Sequence, residues 1–147
     1  PRVGGAQEGL GGAAGTLEAG TPNVAGILSL GAAITFIESL GLEAIDERLG
    51  LLTDELILGL RTVPGLEILP AGETCDCTVD HGIVAFRLRD MGATDVAFAL
   101  DQRGICVRGG THCRARADEE AVRVSAHVYT TSEEIDSCVR ALRDIAG

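Results

Sequence analysis

The sequence predicts an α+β fold: a small, mainly antiparallel sheet covered on one face by helices and preceded by two long helices. Three observations carry this reading. Two apolar stretches of helical period stand first, four short strand-like segments follow in two pairs, and a helical segment follows each pair. The connections between such strands are where chemistry tends to sit.

The first twenty residues hold seven glycines (4, 5, 9, 11, 12, 15 and 20) and almost no large apolar side chains. Residues 1–20 therefore read as a flexible arm or the remnant of a larger domain, and 21–147 as one small domain with its linking helices. The text changes character at Thr21-Pro22-Asn23, where Asn23 can cap a helix. Ile27, Leu28, Ile34, Ile37 and Leu40 follow at helical spacing up to Gly41. The longest uncharged stretch, Ala19 to Ile37, contains Pro22, Asn23, Ser29, Thr35 and three glycines, and reads as a buried helix of a soluble fold.

The second helix is the clearest element. Leu42, Ile45, Leu49, Leu52, Leu56 and Leu60 are spaced 3, 4, 3, 4 and 4, one apolar stripe that Val63-Pro64-Gly65 ends. Leu66–Leu69 reads as a short strand, Pro70–Gly82 as a polar loop, and Ile83–Leu88 as a half-buried strand with Val84, Phe86 and Leu88 inward. Thr94 can cap a helix running to Arg103, which Gly104 closes. Ile105–Val107 and Val122–Val128 read as the second pair of strands. Thr131-Ser132-Glu133-Glu134 has the capping-box pattern, opening a last helix with Ile135, Cys138, Val139, Leu142 and Ile145 inward.

Composition narrows the function. The chain has 147 residues, 46% apolar but only 3% aromatic, so aliphatic side chains must do the packing. A formal net charge of −10 argues against nucleic-acid or anionic-membrane partners, which select basic patches. No basic segment precedes a hydrophobic stretch, so no secretory signal is visible. Five cysteines form no even framework, which favours free thiols in a reducing, cytoplasmic setting. All twelve basic residues are arginine. A chain without lysine cannot by itself hold an aldehyde cofactor as a Schiff base.

Cys113 is the strongest chemical candidate. It follows a strand and two glycines, and Arg108, His112, Arg114 and Arg116 surround it in sequence. Cationic neighbours lower a thiol pKa and raise the thiolate fraction, as nucleophilic sulfur chemistry requires. The same composition would also describe an inert cysteine in a solvated turn. Cys106 and Cys138 stand at apolar positions of a strand and a helix and read as small core residues. Cys75-Asp76-Cys77 with His81 lacks the ligand number and spacing of a structural zinc site, and no metal is expected. His127 reads as a structural residue on the last strand. Taken alone, Arg123 is a strand-edge arginine and Thr21 a turn residue before a helix.

Three ordered blocks add a resemblance. Glu18-Ala19-Gly20-Thr21-Pro22-Asn23, then Gly104-Ile105-Cys106-Val107-Arg108-Gly109-Gly110-Thr111-His112-Cys113, then Val122-Arg123-Val124-Ser125 with Tyr129-Thr130-Thr131 and Glu133-Glu134-Ile135-Asp136, stand in the order seen in class V aminotransferase-fold enzymes. From Glu18 onward the chain resembles the C-terminal small domain of a fold-type I, pyridoxal-phosphate (PLP) dependent enzyme of the cysteine desulfurase and selenocysteine lyase branch.

The resemblance implies that Cys113 attacks the sulfur of a cysteine–PLP adduct, becomes a persulfide and leaves alanine. It implies that Arg123 holds the substrate carboxylate, a task suited to a planar, bidentate guanidinium. Arg108 would steer the substrate or the thiol, and Thr21 would contact the cofactor phosphate, commonly in the partner subunit's site. His112 would assist proton transfer, or be no more than a polar loop residue. The same resemblance implies L-cysteine as substrate, a homodimer, and a sulfur-acceptor protein serving iron–sulfur cluster assembly. Selenocysteine lyase activity, another PLP lyase or aminotransferase reaction, or a cofactor-free sulfur-relay module are the alternatives. Two features depart from the family pattern: Arg114-Ala115-Arg116 replaces the usual proline after the His-Cys pair, and only ten positions separate Cys113 from Arg123.

Overall fold

A computed structural model describes residues 21–69, 82–111 and 120–147. The chain divides into two compact units, 1–40 and 41–147.

In the first unit, α1 spans Val24–Leu40. Asn23 caps it as expected, its Oδ1 accepting from the Gly26 amide at 3.0 Å. The expected burial is not met, because no residue of α1 is buried. The apolar side chains run around the whole circumference and no charge appears before Glu38, so the helix has no polar face to give to solvent.

The second unit is a two-layer α+β structure. Its elements are α2 (Leu42–Leu60), β1 (Leu66–Ile68), β2 (Ile83–Leu88), α3 (Ala93–Asp101), β3 (Arg108–Gly110), β4 (Ala121–Ser125) and α4 (Ser132–Ala146). The strands form one sheet in the order β1-β2-β4-β3, and every neighbouring pair is antiparallel. Val84, Phe86 and Leu88 of β2 and Val122 of β4 point to one face. There they meet Leu52, Leu56 and Leu60 of α2, Val96 and Leu100 of α3, and Ile135, Val139 and Leu142 of α4. Period two in the strands and period 3.6 in the helices thus deliver one shared core.

The stripe on α2 buries from Leu49 onward, while Leu42 is exposed and Ile45 half-buried. Helix α4 starts with the predicted capping box. The Thr131 Oγ1 accepts from the Glu134 amide at 3.2 Å, and the Thr131 amide donates to the Glu134 carboxylate at 2.8 Å. A buried polar hub joins the layers: the Thr53 hydroxyl donates to the Leu49 carbonyl at 2.7 Å and accepts from the Gly82 amide at 3.0 Å. Gly82, at φ 83°, sits where a Cβ would overlap the Ala126 carbonyl.

Several boundaries differ from the sequence expectation: the strand expected over Val122–Val128 is Ala121–Ser125, and two further differences have a clear cause. Helix α3 begins at Ala93 with Gly92 as N-cap and no side-chain cap, which makes Thr94 an exposed helical residue. Ala93 is buried against the core, and this places the first turn one residue earlier than the Thr94 signal. The third strand is Arg108–Gly110 instead of Ile105–Val107. Pairing begins only where β4 runs alongside, at Arg108↔Arg123, and Ile105 and Val107 instead pack on the margin of the core. β3 lies close to α3 because Gly109 has no side chain: a Cβ there would overlap the Ala93 carbonyl.

Candidate functional site

Helices α2, α3 and α4 cover one face of the sheet, and the sequence places arginines on the other. Register sets Arg108 of β3 directly opposite Arg123 of β4, and Arg123 opposite Ala85 of β2. Direct cross-strand partners share a face. Arg87, two residues past Ala85, belongs to the same face and pairs across β1 with Glu67.

The Arg108–Arg123 pairing is an unfavourable arrangement on its own, since like charges directly opposite one another in a sheet repel. Arg123 is half-buried, and its Nε is buried with no hydrogen-bond partner among the described residues. A buried N–H donor without an acceptor costs free energy on the order of 1–3 kcal/mol. Both penalties fall if an anion sits between the guanidinium groups.

The structure therefore joins two of the predicted site residues, Arg108 and Arg123, through strand register. Thr21 is exposed just ahead of α1, in the first unit. Cys113 and His112 lie outside the described residues, as do Arg114, Arg116, Cys75, Cys77 and His81. Among the described residues, no group of His, Cys, Asp and Glu is placed to hold a metal.

The other thiols separate. Cys138 is buried in α4, and desolvation raises its pKa from 9.0 to about 11, so it is a core residue as expected. Cys106 is exposed, against the expectation of a core position, because Ile105 and Val107 on either side of it turn to the margin of the core and leave the residue between them facing out. It borders a groove of about 520 Å³ between the end of β4 and the start of α4, which Cys138 also lines. His127 is exposed beyond the end of β4 and stacks on Tyr129 at 4.8 Å between ring centroids. No single helix among the described residues is long and apolar enough to cross a membrane.

Sequence reasoning did not single out Arg87, which alternation puts on the face of β2 opposite Val84, Phe86 and Leu88. Its Nε donates to the carbonyl of Glu120, the residue just ahead of β4, at 3.0 Å. Alternation could assign its face, but only the register could show what it reaches.

The aminotransferase class-V family profile matches residues 4–138, and the chain belongs to that family of PLP-dependent enzymes. A probable cysteine desulfurase of Methanothermobacter thermautotrophicus is 36% identical over 139 residues, covering 88% of this chain and 34% of that protein. A cysteine desulfurase of Klebsiella pneumoniae is 40% identical over 133 residues, covering 87% of this chain and 31% of that protein. Among solved structures, the apo cysteine desulfurase of Thermococcus onnurineus matches with a TM-score of 0.77 and 30% identity, over 88% of this chain and 32% of that one. The chain thus spans about a third of the length of the relatives it matches. This agrees with the expected α+β small domain of a fold-type I PLP enzyme.

Proposed function

We propose that this chain supplies the carboxylate clamp and the sulfur-accepting thiol of a PLP-dependent cysteine desulfurase. The observation that carries the reading is the buried Nε of Arg123, unpartnered among the described residues and set in register against Arg108 on the face opposite α2, α3 and α4. Two guanidinium groups with a donor still to satisfy fit the α-carboxylate of an amino acid. Arg123 binds and orients that carboxylate, and Arg108 at the sheet edge shares its charge. Three positions past Gly110, Cys113 is the nucleophile that takes the sulfur as a persulfide, and alanine is the product. His112 serves the proton transfer beside it.

PLP, when bound, withdraws electrons from the substrate so that its carbon–sulfur bond can break. The arginines present suit the substrate of such chemistry. The covalent anchor is another matter: the chain has no lysine, so the amine comes from the remaining two-thirds of the fold. Thr21, exposed just ahead of α1, contacts the cofactor phosphate. The complete enzyme works as a cytoplasmic homodimer that passes sulfur to an acceptor protein for iron–sulfur cluster assembly.

The test uses the longer protein that carries a lysine-bearing large domain, with alanine and sulfide release from L-cysteine as the readout. Arg123→Ala lowers kcat/KM about 100-fold, in line with loss of a charge-assisted pair. Cys113→Ser abolishes persulfide formation and leaves cofactor absorbance intact. An Arg123→Ala enzyme within two-fold of the parent would remove the clamp, and persulfide on Cys113→Ser would remove the nucleophile.

A further inference from the structure

The sheet face opposite α2, α3 and α4 carries a charge contrary to that of the chain. Register puts Arg87 of β2, Arg123 of β4 and Arg108 of β3 on that face, with Glu67 of β1 as the one acidic residue among its described strand positions. Three guanidinium groups thus meet one carboxylate, on a chain whose formal net charge is −10. Arg108 and Arg123 are direct cross-strand partners, with Cβ atoms about 4.5–5.5 Å apart, and Arg87 lies on the diagonal of Arg123 at about 7–8 Å. Arg87 is engaged, its Nε donating to the Glu120 carbonyl at 3.0 Å. The buried Nε of Arg123 has no partner among the described residues. A buried donor left open beside a second cation marks the place of an acceptor that carries negative charge.

We infer that the Arg108–Arg123 pair is also a regulatory oxyanion site: it takes a small tetrahedral dianion, with inorganic sulfate as the representative, and that ion competes with the substrate carboxylate. The inference deepens the clamp reading and rests on it for the competition. A carboxylate brings one negative charge and leaves the pair cationic, whereas a dianion neutralises both guanidinium groups. The oxygens of a tetrahedral ion are spread in three dimensions, so one ion can accept from Arg123 Nε and from Arg108 together. Burial of that Nε strengthens the bond, because water competes less for the donor. The overall charge of the chain repels extended polyanions, which leaves small ions as the ligands this local field collects. Charge and oxygen geometry are what the pair reads, and phosphate shares both with sulfate.

The test is equilibrium dialysis of radiolabelled sulfate against the full chain at constant ionic strength, with chloride as the balancing ion. One saturable site per chain is expected. Arg123→Gln and Arg108→Gln should each weaken it about ten-fold or more, as loss of a charge-assisted hydrogen bond does. Arg108 is exposed at the sheet edge, so its variant keeps the test open if Arg123→Gln fails to fold. Arg140→Gln removes the same charge from α4, on the other side of the sheet, and should leave binding within about two-fold of the parent. Phosphate should displace the label about ten-fold better than acetate. Absence of saturable binding overturns the inference. So does binding that survives either clamp substitution, weakens equally in Arg140→Gln, or yields to acetate as readily as to phosphate. In the longer, lysine-bearing enzyme, sulfate should raise KM for L-cysteine several-fold with kcat unchanged, and an unchanged KM removes the regulatory role. Failure of the desulfurase reading appears separately, as no alanine or sulfide released even without sulfate, and leaves the dialysis result as it stands.

Discussion

Cys138 offers a quantitative test of the core. Burial in α4 raises its thiol from 9.0 to about 11. At pH 8.5 such a shift lowers the thiolate fraction roughly 70-fold relative to an unshifted thiol. Restricted access in the packed core adds to this. Iodoacetamide labelling of the folded chain at pH 8.5 should therefore modify Cys106, which is exposed, about 100-fold faster than Cys138. The same shift makes stability depend on pH. Below pH 9 the thiol is protonated whether the chain is folded or not, and its contribution is complete. Between pH 9 and 11 the unfolded chain gives up the proton while the folded chain keeps it, so stability falls as pH rises. The loss across that window is about 3 kcal/mol. Urea titrations of the parent at several alkaline pH values should show that slope, and Cys138→Ala should lack it. Equal labelling of Cys106 and Cys138 in folded protein, or the same slope in both proteins, would refute the placement of this side chain.

Three further outcomes concern the scaffold under the arginine face. Gly109→Ala places a Cβ against the Ala93 carbonyl, and chemical denaturation should show a loss of about 1–3 kcal/mol. Thr131→Ala removes the side-chain half of the α4 capping box and should cost about 1 kcal/mol by the same measurement. Thr53→Val keeps the shape but leaves the buried Gly82 amide without its acceptor. It should destabilise by about 1–3 kcal/mol, whereas Thr53→Ser, which keeps the hydroxyl, should recover much of the loss.

The candidate site could be nominated from the sequence because chemistry and charge are local. Cys113 among arginines, and the ordered blocks around it, needed no structure to be singled out. Arg108 and Arg123 also stood in those blocks, but nothing in a linear text says that they face one another. That follows from the pairing of β3 with β4, a contact between residues 15 positions apart. Arg87 escaped notice for the same reason, since its partner carbonyl lies on a different strand. The misplacement of Cys106 is one of face, since Ile105 and Val107 pack on the core and the residue between them faces out, whereas the strand boundary there has a cause related to that of Arg87. An apolar run ahead of a glycine pair reads as strand, but a strand exists only where a neighbour completes its hydrogen bonds, and β4 runs alongside from Arg108 onward.

The sequence by itself determined the element order, the α2 stripe, the α4 capping box, and the absence of lysine from these 147 residues. Each depends on residues within a few turns of one another, or on the mere absence of an amine. Only the tertiary structure decided the order β1-β2-β4-β3, the close approach of Gly109 to Ala93, and the meeting of like-charged arginines on the face opposite α2, α3 and α4. Those depend on which strands lie side by side, and sheet pairing is settled by packing across the whole core.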